Sequence, residues 1–317
     1  MVENFSNLEK AILRTLAFFD VFDYPLTLVE VYKWLYQPDQ IYQLSDISRS
    51  LAGINLKNKI SNYNGFYFLS SRQDIVRTRL NRYTIAEKKF KIALKAGWFL
   101  RFVASVRMIA VCNNVGYSNG SKDSDIDFFI IVKQGRLWWS RLVITLMTHF
   151  LGIRRHGVKI VDRVCLSFYT ATDHLDLSDI SLKPVDPYLV YWFATLAPIY
   201  NRQKTYEHFL KSNSWLNSYL PNLYPVAPSP RRFVADRPYV SFFRSIDGAI
   251  ANTRLGDMLE KISRFLELKK IKNYFGSSMT QNNTNVIMSL SMLKLHKTDR
   301  REKYKDMWQD KLNSLGL

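Results

Sequence analysis

The fold of this chain is decided by a short stretch, SDIDFFIIV at Ser124–Val132, in which two carboxylates lead into an unbroken apolar run. Residues two apart on a strand point to the same face, so Asp125 and Asp127 converge on one point where a strand begins. The apolar run predicts a strand buried on both faces. Two carboxylates at the rim of a buried sheet suit a hard cation such as Mg²⁺, which takes one or two carboxylates together with substrate phosphates.

The neighbouring residues predict a mixed α/β unit over residues 101–185. We expect strands at Val106–Cys112, Ile126–Val132 and Val164–Ala171, and a helix at Leu137–Leu151. A loop of small and polar residues leads into the two acids, and backbone N–H groups of such a loop can face phosphate. The candidate phosphate contacts are therefore Asn113, Asn114, Ser118 and Ser124, and a basic turn adds Arg154 and Arg155 for the leaving pyrophosphate.

The loop, the Ser-Asp-Ile-Asp sequence and the apolar strand together resemble the polymerase-β-type nucleotidyltransferases, and most closely the minimal and antibiotic nucleotidyltransferases. The resemblance covers residues 100–175. It implies a strand, a Gly-Ser turn, Asp-x-Asp on the next strand and a third carboxylate on a later strand. It also implies one or two Mg²⁺ ions on Asp125 and Asp127 as catalytic residues, which transfer a nucleotidyl group from an NTP to an unknown acceptor.

The chain departs from that family pattern at two places. Asn113 and Asn114 stand where the Gly-Ser turn is expected, and Gly116–Ser118 is the alternative, shifted turn. Ser167 occupies the middle of the later strand, where the third carboxylate belongs. The candidate replacements are Asp162 just before that strand and Asp173 and Asp176 after it. Loss of the third acid removes the expected general base. The alternative function is therefore a non-catalytic nucleotide- or DNA-binding regulator built on the same domain.

Residues 1–70 predict a unit of three helices and a hairpin, which resembles a winged helix. The helices are expected at Leu8–Phe19, at Leu28–Leu35 and from Ser45, and Asn64-Gly65 between two β-prone segments predicts the hairpin. Such a unit binds DNA through its third helix or serves as a packing module. Residues 71–100 predict a long basic connecting helix.

Residues 186–317 predict a helical C-terminal region. Its basic segment, residues 292–303, is predicted to be a helix on which Lys294, Lys297 and Arg301 share a face. That face is either a contact surface for phosphate or nucleic acid or an ordinary solvated surface.

The composition sets outer limits on partners and location. The 317 residues carry a formal net charge of +18, which predicts attraction to polyanions such as nucleic acid. Two cysteines without a CxxC pair argue against a disulfide framework or a zinc site, and we expect a cytoplasmic protein without a signal peptide. The longest apolar stretch, Leu137–Ile153, contains Arg141, so no membrane span is expected.

Overall fold

The computed structural model describes residues 5–224, 229–251, 253–275, 285–296 and 298–317, and Lys297 of the basic segment lies outside the described residues. Within these ranges the chain forms two β-sheets with flanking helices, which is a mixed α/β fold. None of the helices in these ranges combines the length and the apolar character that a membrane crossing requires.

The N-terminal part consists of three helices and a small antiparallel sheet. They are α1 (Asn7–Asp20), β1 (Leu26–Thr27), α2 (Leu28–Lys33), α3 (Leu44–Leu51), β2 (Ile60–Tyr63) and β3 (Phe66–Leu69), and the sheet has the order β1-β3-β2. A capping box starts α2, because Thr27 N donates to Glu30 Oε2 while Thr27 Oγ1 accepts from Glu30 N. The hairpin turns at Asn64 and Gly65, whose φ angles of 51° and 77° are left-handed, as an Asn-Gly turn requires.

One continuous helix, α4 (Asp74–Leu100), follows this part as the sequence predicts. Its first half is tied to the N-terminal helices by ion pairs. Arg79 Nη1 lies 2.7 Å from Glu30 Oε2, and Arg82 Nη2 lies 3.3 Å from Asp23 Oδ2. Its second half buries Phe90 and Leu100 in the core beneath the larger sheet.

The larger sheet has six strands and supports the candidate site. They are β4 (Val106–Val111), β5 (Ile126–Val132), β6 (Val164–Ala171), β7 (Ala197–Asn201), β8 (Val286–Met288) and β9 (Met292–Leu295), in the order β7-β4-β5-β6-β9-β8. Only β5 and β6 are parallel among these neighbours, and α6 (Leu137–Phe150) makes the crossover between them. A single helical turn, α5 (Asn113–Gly116), connects β4 to the loop before β5.

The C-terminal region contains strands as well as helices. The helices are α7 (Pro187–Ala194), α8 (Thr205–Ser212), α9 (Pro238–Ala251), α10 (Arg254–Phe275) and α11 (Arg301–Leu315). The predicted helix across residues 292–303 was wrong for its first half, because Met292, Leu293 and Lys294 pair with β6 as strand β9. The helical pattern predicted for residues 186–317 was also wrong at Ile199, which lies in β7 beside β4.

Both faces of the six-stranded sheet are covered. Phe128 and Ile130 point to one face, which packs against Trp138 of α6. Phe129 points to the other face, where its ring centroid lies 5.1 Å from that of Trp192 in α7. The core on this second face continues into the N-terminal helices, so the sheet and those helices share buried side chains.

Candidate metal centre

Three ligand-bearing side chains meet where the parallel strands β5 and β6 begin. Asp125 directly precedes β5, Asp127 is its second residue, and Cys165 of β6 lies beside Asp127 in the strand register. One ligand atom from each side chain lies within 4.8 Å of the other two, and all three residues are partly buried. The predicted convergence of the two carboxylates is therefore present, and a thiol completes the group.

Asn113 fixes the orientation of Asp127. It follows β4 with a left-handed φ of 55°, and its Nδ2 donates to Asp127 Oδ2 over 2.8 Å. The hydroxyl of Tyr188, at the start of α7, donates to Asn113 Oδ1 over 3.3 Å. Asparagine tolerates this backbone conformation, which is otherwise typical of glycine, and also supplies the amide that holds the carboxylate.

Arg155 occupies the outer side of the centre. Its Nη1 donates to Asp125 Oδ2 over 2.5 Å and lies 3.7 Å from the sulfur of Cys165. The side chain of Arg155 is 43% exposed, whereas that of Asp125 is 15% exposed. The guanidinium is therefore accessible to an incoming anion, although turning toward it would break the ion pair with Asp125.

Two side chains of the centre have raised pKa values. Burial and the neighbouring Asp125 raise the pKa of Asp127 to about 6, against the hydrogen bond from Asn113, which lowers it. Burial and the two aspartates raise the pKa of the Cys165 thiol, which is therefore neutral at pH 7. A neutral thiol is neither a general base nor a ligand for a hard cation.

A buried lysine holds together the two segments that enter β5 and β6. Lys89 of α4 is fully buried, and its Nζ donates to the carbonyl oxygen of Ser124 over 2.7 Å and to Asp162 Oδ1 over 2.6 Å. Asp162 N also donates to the Ser124 carbonyl over 3.3 Å. These contacts fix the backbone immediately before Asp125, so Lys89 positions the centre without belonging to it.

The remaining predicted site residues have other partners. Asn114 Oδ1 accepts from Tyr117, Ser118 Oγ accepts from Arg232, and Ser124 Oγ donates to the backbone of Ser121. Burial and the neighbouring Arg141 lower the pKa of Arg154.

Asp162, the candidate third acid, is 52% exposed and pairs with Lys89, so it is not a member of the three-residue group. The structure thus brings together four of the predicted site residues, namely Asp125, Asp127, Asn113 and Arg155. It does not bring Asn114, Ser118, Ser124, Arg154 or Asp162 into this group.

Sequence reasoning missed three residues of this region: Cys165, Tyr188 and Lys89. Cys165 lies two positions before Ser167, where the third acid was expected, and it is Cys165 that pairs with Asp127 in the register of β6 against β5. Tyr188 lies in an aromatic helical segment, and such spacing is typical of core residues. Lys89 lies in a basic run between Lys88 and Lys91, so no feature of the sequence distinguished it, although it is the only fully buried lysine among the described residues.

The two aspartates fit Mg²⁺, because this ion takes one or two carboxylates and completes its shell with water and substrate phosphates. The thiol of Cys165 does not fit Mg²⁺ and is a ligand that Zn²⁺ accepts. Comparison with protein-family models, curated proteins and solved structures finds no match to this chain.

Proposed function

We propose that this chain binds a nucleoside triphosphate as its Mg²⁺ complex at Asp125 and Asp127 and transfers the nucleotidyl group to an acceptor. The convergence of these two carboxylates with Asn113 and Arg155 at the start of a buried parallel strand carries the proposal. A bound Mg²⁺ would neutralise phosphate charge and polarise the bond to be broken.

The order of elements supports this proposal. A strand, β4, is followed by the turn at Asn113, a short helix, a loop, and then β5 with the two acids. β6 lies parallel to β5, beside the acids, where the resemblance to nucleotidyltransferases implies a further strand. The hydrogen bond from Asn113 Nδ2 to Asp127 Oδ2 supports the first of the two turn alignments, in which Asn113-Asn114 replaces Gly-Ser.

Different side chains of the centre would hold the carboxylates and bind the phosphate. Asn113 holds Asp127 in place, and Arg155 is placed to leave Asp125 and bind a phosphate oxygen when a cation takes the carboxylate. Tyr188 supports Asn113 from α7. A general base for the acceptor hydroxyl is not supplied by Cys165, because the pKa of its thiol is raised.

A second candidate function, a non-catalytic nucleotide-binding regulator, is favoured by one observation. In the described residues the metal-ligating group contains two acids and a neutral thiol, and Asp162 lies outside it. Two carboxylates suffice to bind one Mg²⁺ with its triphosphate, but they leave the acceptor without a base. The N-terminal order of helix, strand, two helices and hairpin supports a winged helix as the DNA-binding output of such a regulator.

Calorimetric titration of the full chain with each of the four NTPs, with and without Mg²⁺, tests the binding step. We expect Mg²⁺-dependent binding that falls at least 100-fold in Asp125→Asn/Asp127→Asn, because both carboxylate ligands are lost. The matched control is Asp123→Asn/Asp310→Asn, which removes two exposed carboxylates and the same charge. Equal affinities in the two double variants would contradict the proposal.

Pyrophosphate release from the Mg²⁺–NTP complex, with water as the acceptor and the nucleoside monophosphate as the second product, distinguishes the two functions. Release by the wild-type chain, lost in Asp125→Asn/Asp127→Asn, supports the transferase. The variant Cys165→Asp places a third carboxylate beside Asp127, and its Mg²⁺ affinity is expected to exceed that of the wild type. Release by Cys165→Asp alone, with unchanged nucleotide binding by the wild type, would favour the regulator.

A further inference from the structure

A second site lies at the other end of the same sheet. A cavity of about 440 Å³ is bounded by the start of β4, the residues after β5 and β7, and one side of α9. β5 has seven residues, so a strand length of about 23 Å separates this cavity from the two aspartates. Its volume is within the range of small-molecule sites.

Five cationic side chains line the cavity: Arg107, Lys133, Arg136, Arg202 and Arg244. Two of them have carboxylate partners outside the lining, since Arg244 Nη2 lies 2.7 Å from Asp236 and Arg136 Nη2 lies 2.8 Å from Asp257. No aspartate or glutamate is among the described lining residues. The cavity therefore carries an excess of positive charge.

The positive charge of the cavity is concentrated at two neighbouring guanidinium groups, those of Arg107 and Arg202. Arg107 Nη1 and Arg202 Nη1 both donate to the carbonyl oxygen of Ala104, over 2.6 Å and 3.0 Å. Neither side chain forms an ion pair with any residue in the described ranges. Burial, followed by Arg202 and Arg244, lowers the pKa of Arg107 to about 10, so the charged guanidinium is disfavoured first by loss of hydration and then by the nearby like charges.

Guanidinium groups held close together are the arrangement that binds phosphate, because each presents several N–H donors in a planar fork. We propose that this cavity binds a small, multiply charged phosphate anion, such as a polyphosphate or a phosphate ester. The recess and its limited volume favour a small anion over the extended backbone of a nucleic acid, which needs an open groove. This site is separate from the Mg²⁺ centre and independent of its function.

Calorimetric titration of the full chain with inorganic phosphate and with tripolyphosphate, both without Mg²⁺, tests the site. We expect tripolyphosphate to bind more tightly than phosphate and its affinity to fall at least tenfold in Arg107→Gln/Arg202→Gln. The matched control Arg77→Gln/Lys88→Gln removes two exposed cations from α4 and is expected to change the affinity less than threefold. Equal loss in both double variants would overturn the site, since it would indicate general charge attraction.

Two further measurements separate a loss of anion binding from misfolding and from a defect in the metal centre. Asp125→Asn/Asp127→Asn is expected to bind tripolyphosphate as the wild type does, so failure of the proposed function leaves this result standing. Tripolyphosphate is expected to raise the melting temperature of the wild type and of Arg77→Gln/Lys88→Gln, but not that of Arg107→Gln/Arg202→Gln. A single-stranded oligonucleotide that displaces tripolyphosphate and binds more tightly through Arg107 and Arg202 would overturn the small-anion assignment.

Discussion

The six-stranded sheet has an acidic end, at Asp125 and Asp127, and a basic end, at Arg107 and Arg202. The two aspartates are bound by neighbouring side chains, whereas the two arginines have no carboxylate partner among the described residues. Asp125 is bound by Arg155 and Asp127 by Asn113, so the acidic end is held in place by its own contacts. At the basic end, Arg107 and Arg202 share one carbonyl oxygen. The contacts of Asp125 and Asp127 fix the geometry of the acidic end before a cation binds. Arg107 and Arg202 have no carboxylate partner among the described residues, so an anion that binds them would stabilise the basic end. Four predictions test this difference, in order of decreasing effect.

Removal of the buried lysine tests how the acidic end is held. Lys89→Met leaves the carbonyl oxygen of Ser124 without its donor and separates Asp162 from α4. We expect the free energy of unfolding to fall by about 3 kcal/mol, because a buried acceptor and an ion pair lose their partner together. Urea unfolding measures this loss. Lys91→Met on the same helix, where the side chain is exposed, is the control, and an equal loss in it would refute the role of Lys89.

Two glycines, one near each end, provide a matched pair. A Cβ added at Gly116 would lie 2.9 Å from the carbonyl oxygen of Thr195 and 3.0 Å from that of Val111, and neither backbone can easily move. Gly116→Ala is expected to lower the free energy of unfolding by about 2 kcal/mol. At Gly248 the added Cβ meets only the Cβ of Ala104, at 3.7 Å, so Gly248→Ala in helix α9 is expected to stabilise by about 0.5 kcal/mol. Thermal melts that rank the two variants in the opposite order would contradict this packing.

Acid titration is expected to act through His296, which follows β9 near Arg155. Burial, followed by Lys294, lowers the pKa of His296 to about 4, whereas histidine in an unfolded chain titrates near about 6.5. The unfolded state therefore binds more protons between pH 6.5 and pH 4, so this stability is full above pH 6.5 and is lost as the pH falls toward 4. The full shift of the His296 pKa corresponds to about 3 kcal/mol, and the partial exposure of the side chain to solvent reduces the expected loss to about 1 to 2 kcal/mol.

His296→Gln removes that part of the pH dependence. Its unfolding free energy, measured from pH 4 to pH 7, is expected to vary less than that of the wild type. His208→Gln, at an exposed histidine, is the control and should follow the wild-type curve. Identical slopes in all three proteins would show that His296 does not contribute.

The last prediction concerns removal of one cation from the basic end. Arg107→Gln relieves repulsion from Arg202 and Arg244, so we expect it to raise the free energy of unfolding by about 1 kcal/mol at low ionic strength. Sodium chloride screens the same repulsion, so it should stabilise the wild type more than the variant. Arg77→Gln is the control, and a wild-type salt response in Arg107→Gln would mean that the cluster is not repulsive.

The strands that the sequence predicts best are those buried on both faces. The bounds of β5 and β6 agree with the predicted Ile126–Val132 and Val164–Ala171, because continuous apolar runs end where polar loops begin. β7 and β9 were predicted as helix. Both strands are short and form because they pair with β4 and β6. Such pairing depends on distant residues, so the local sequence pattern does not predict it.

The candidate site was predictable where it depends on one strand and not where it depends on several. The spacing of Asp125 and Asp127 alone places both carboxylates on one face. Cys165 enters the group through the register of β6, and a shift in register changes which residue faces the acids. Ser118 Oγ accepts a hydrogen bond from Arg232, which is 114 residues away in the sequence. The sequence alone therefore did not show that this hydroxyl already has a partner in the protein.

The closing contacts of the fold join residues that are synthesised far apart in time. Trp308 Nε1 of α11 donates to the carbonyl oxygen of Arg14 in α1, across 294 residues, and Lys311 Nζ lies 2.5 Å from Asp20 Oδ2. β9 likewise covers the edge of β6 with residues made long after that strand. On the ribosome, therefore, α1 lacks part of its packing and β6 exposes a free edge until residues 292–315 emerge. Such an edge recruits other strands, so slow translation of the last third of this chain should increase its dependence on chaperones.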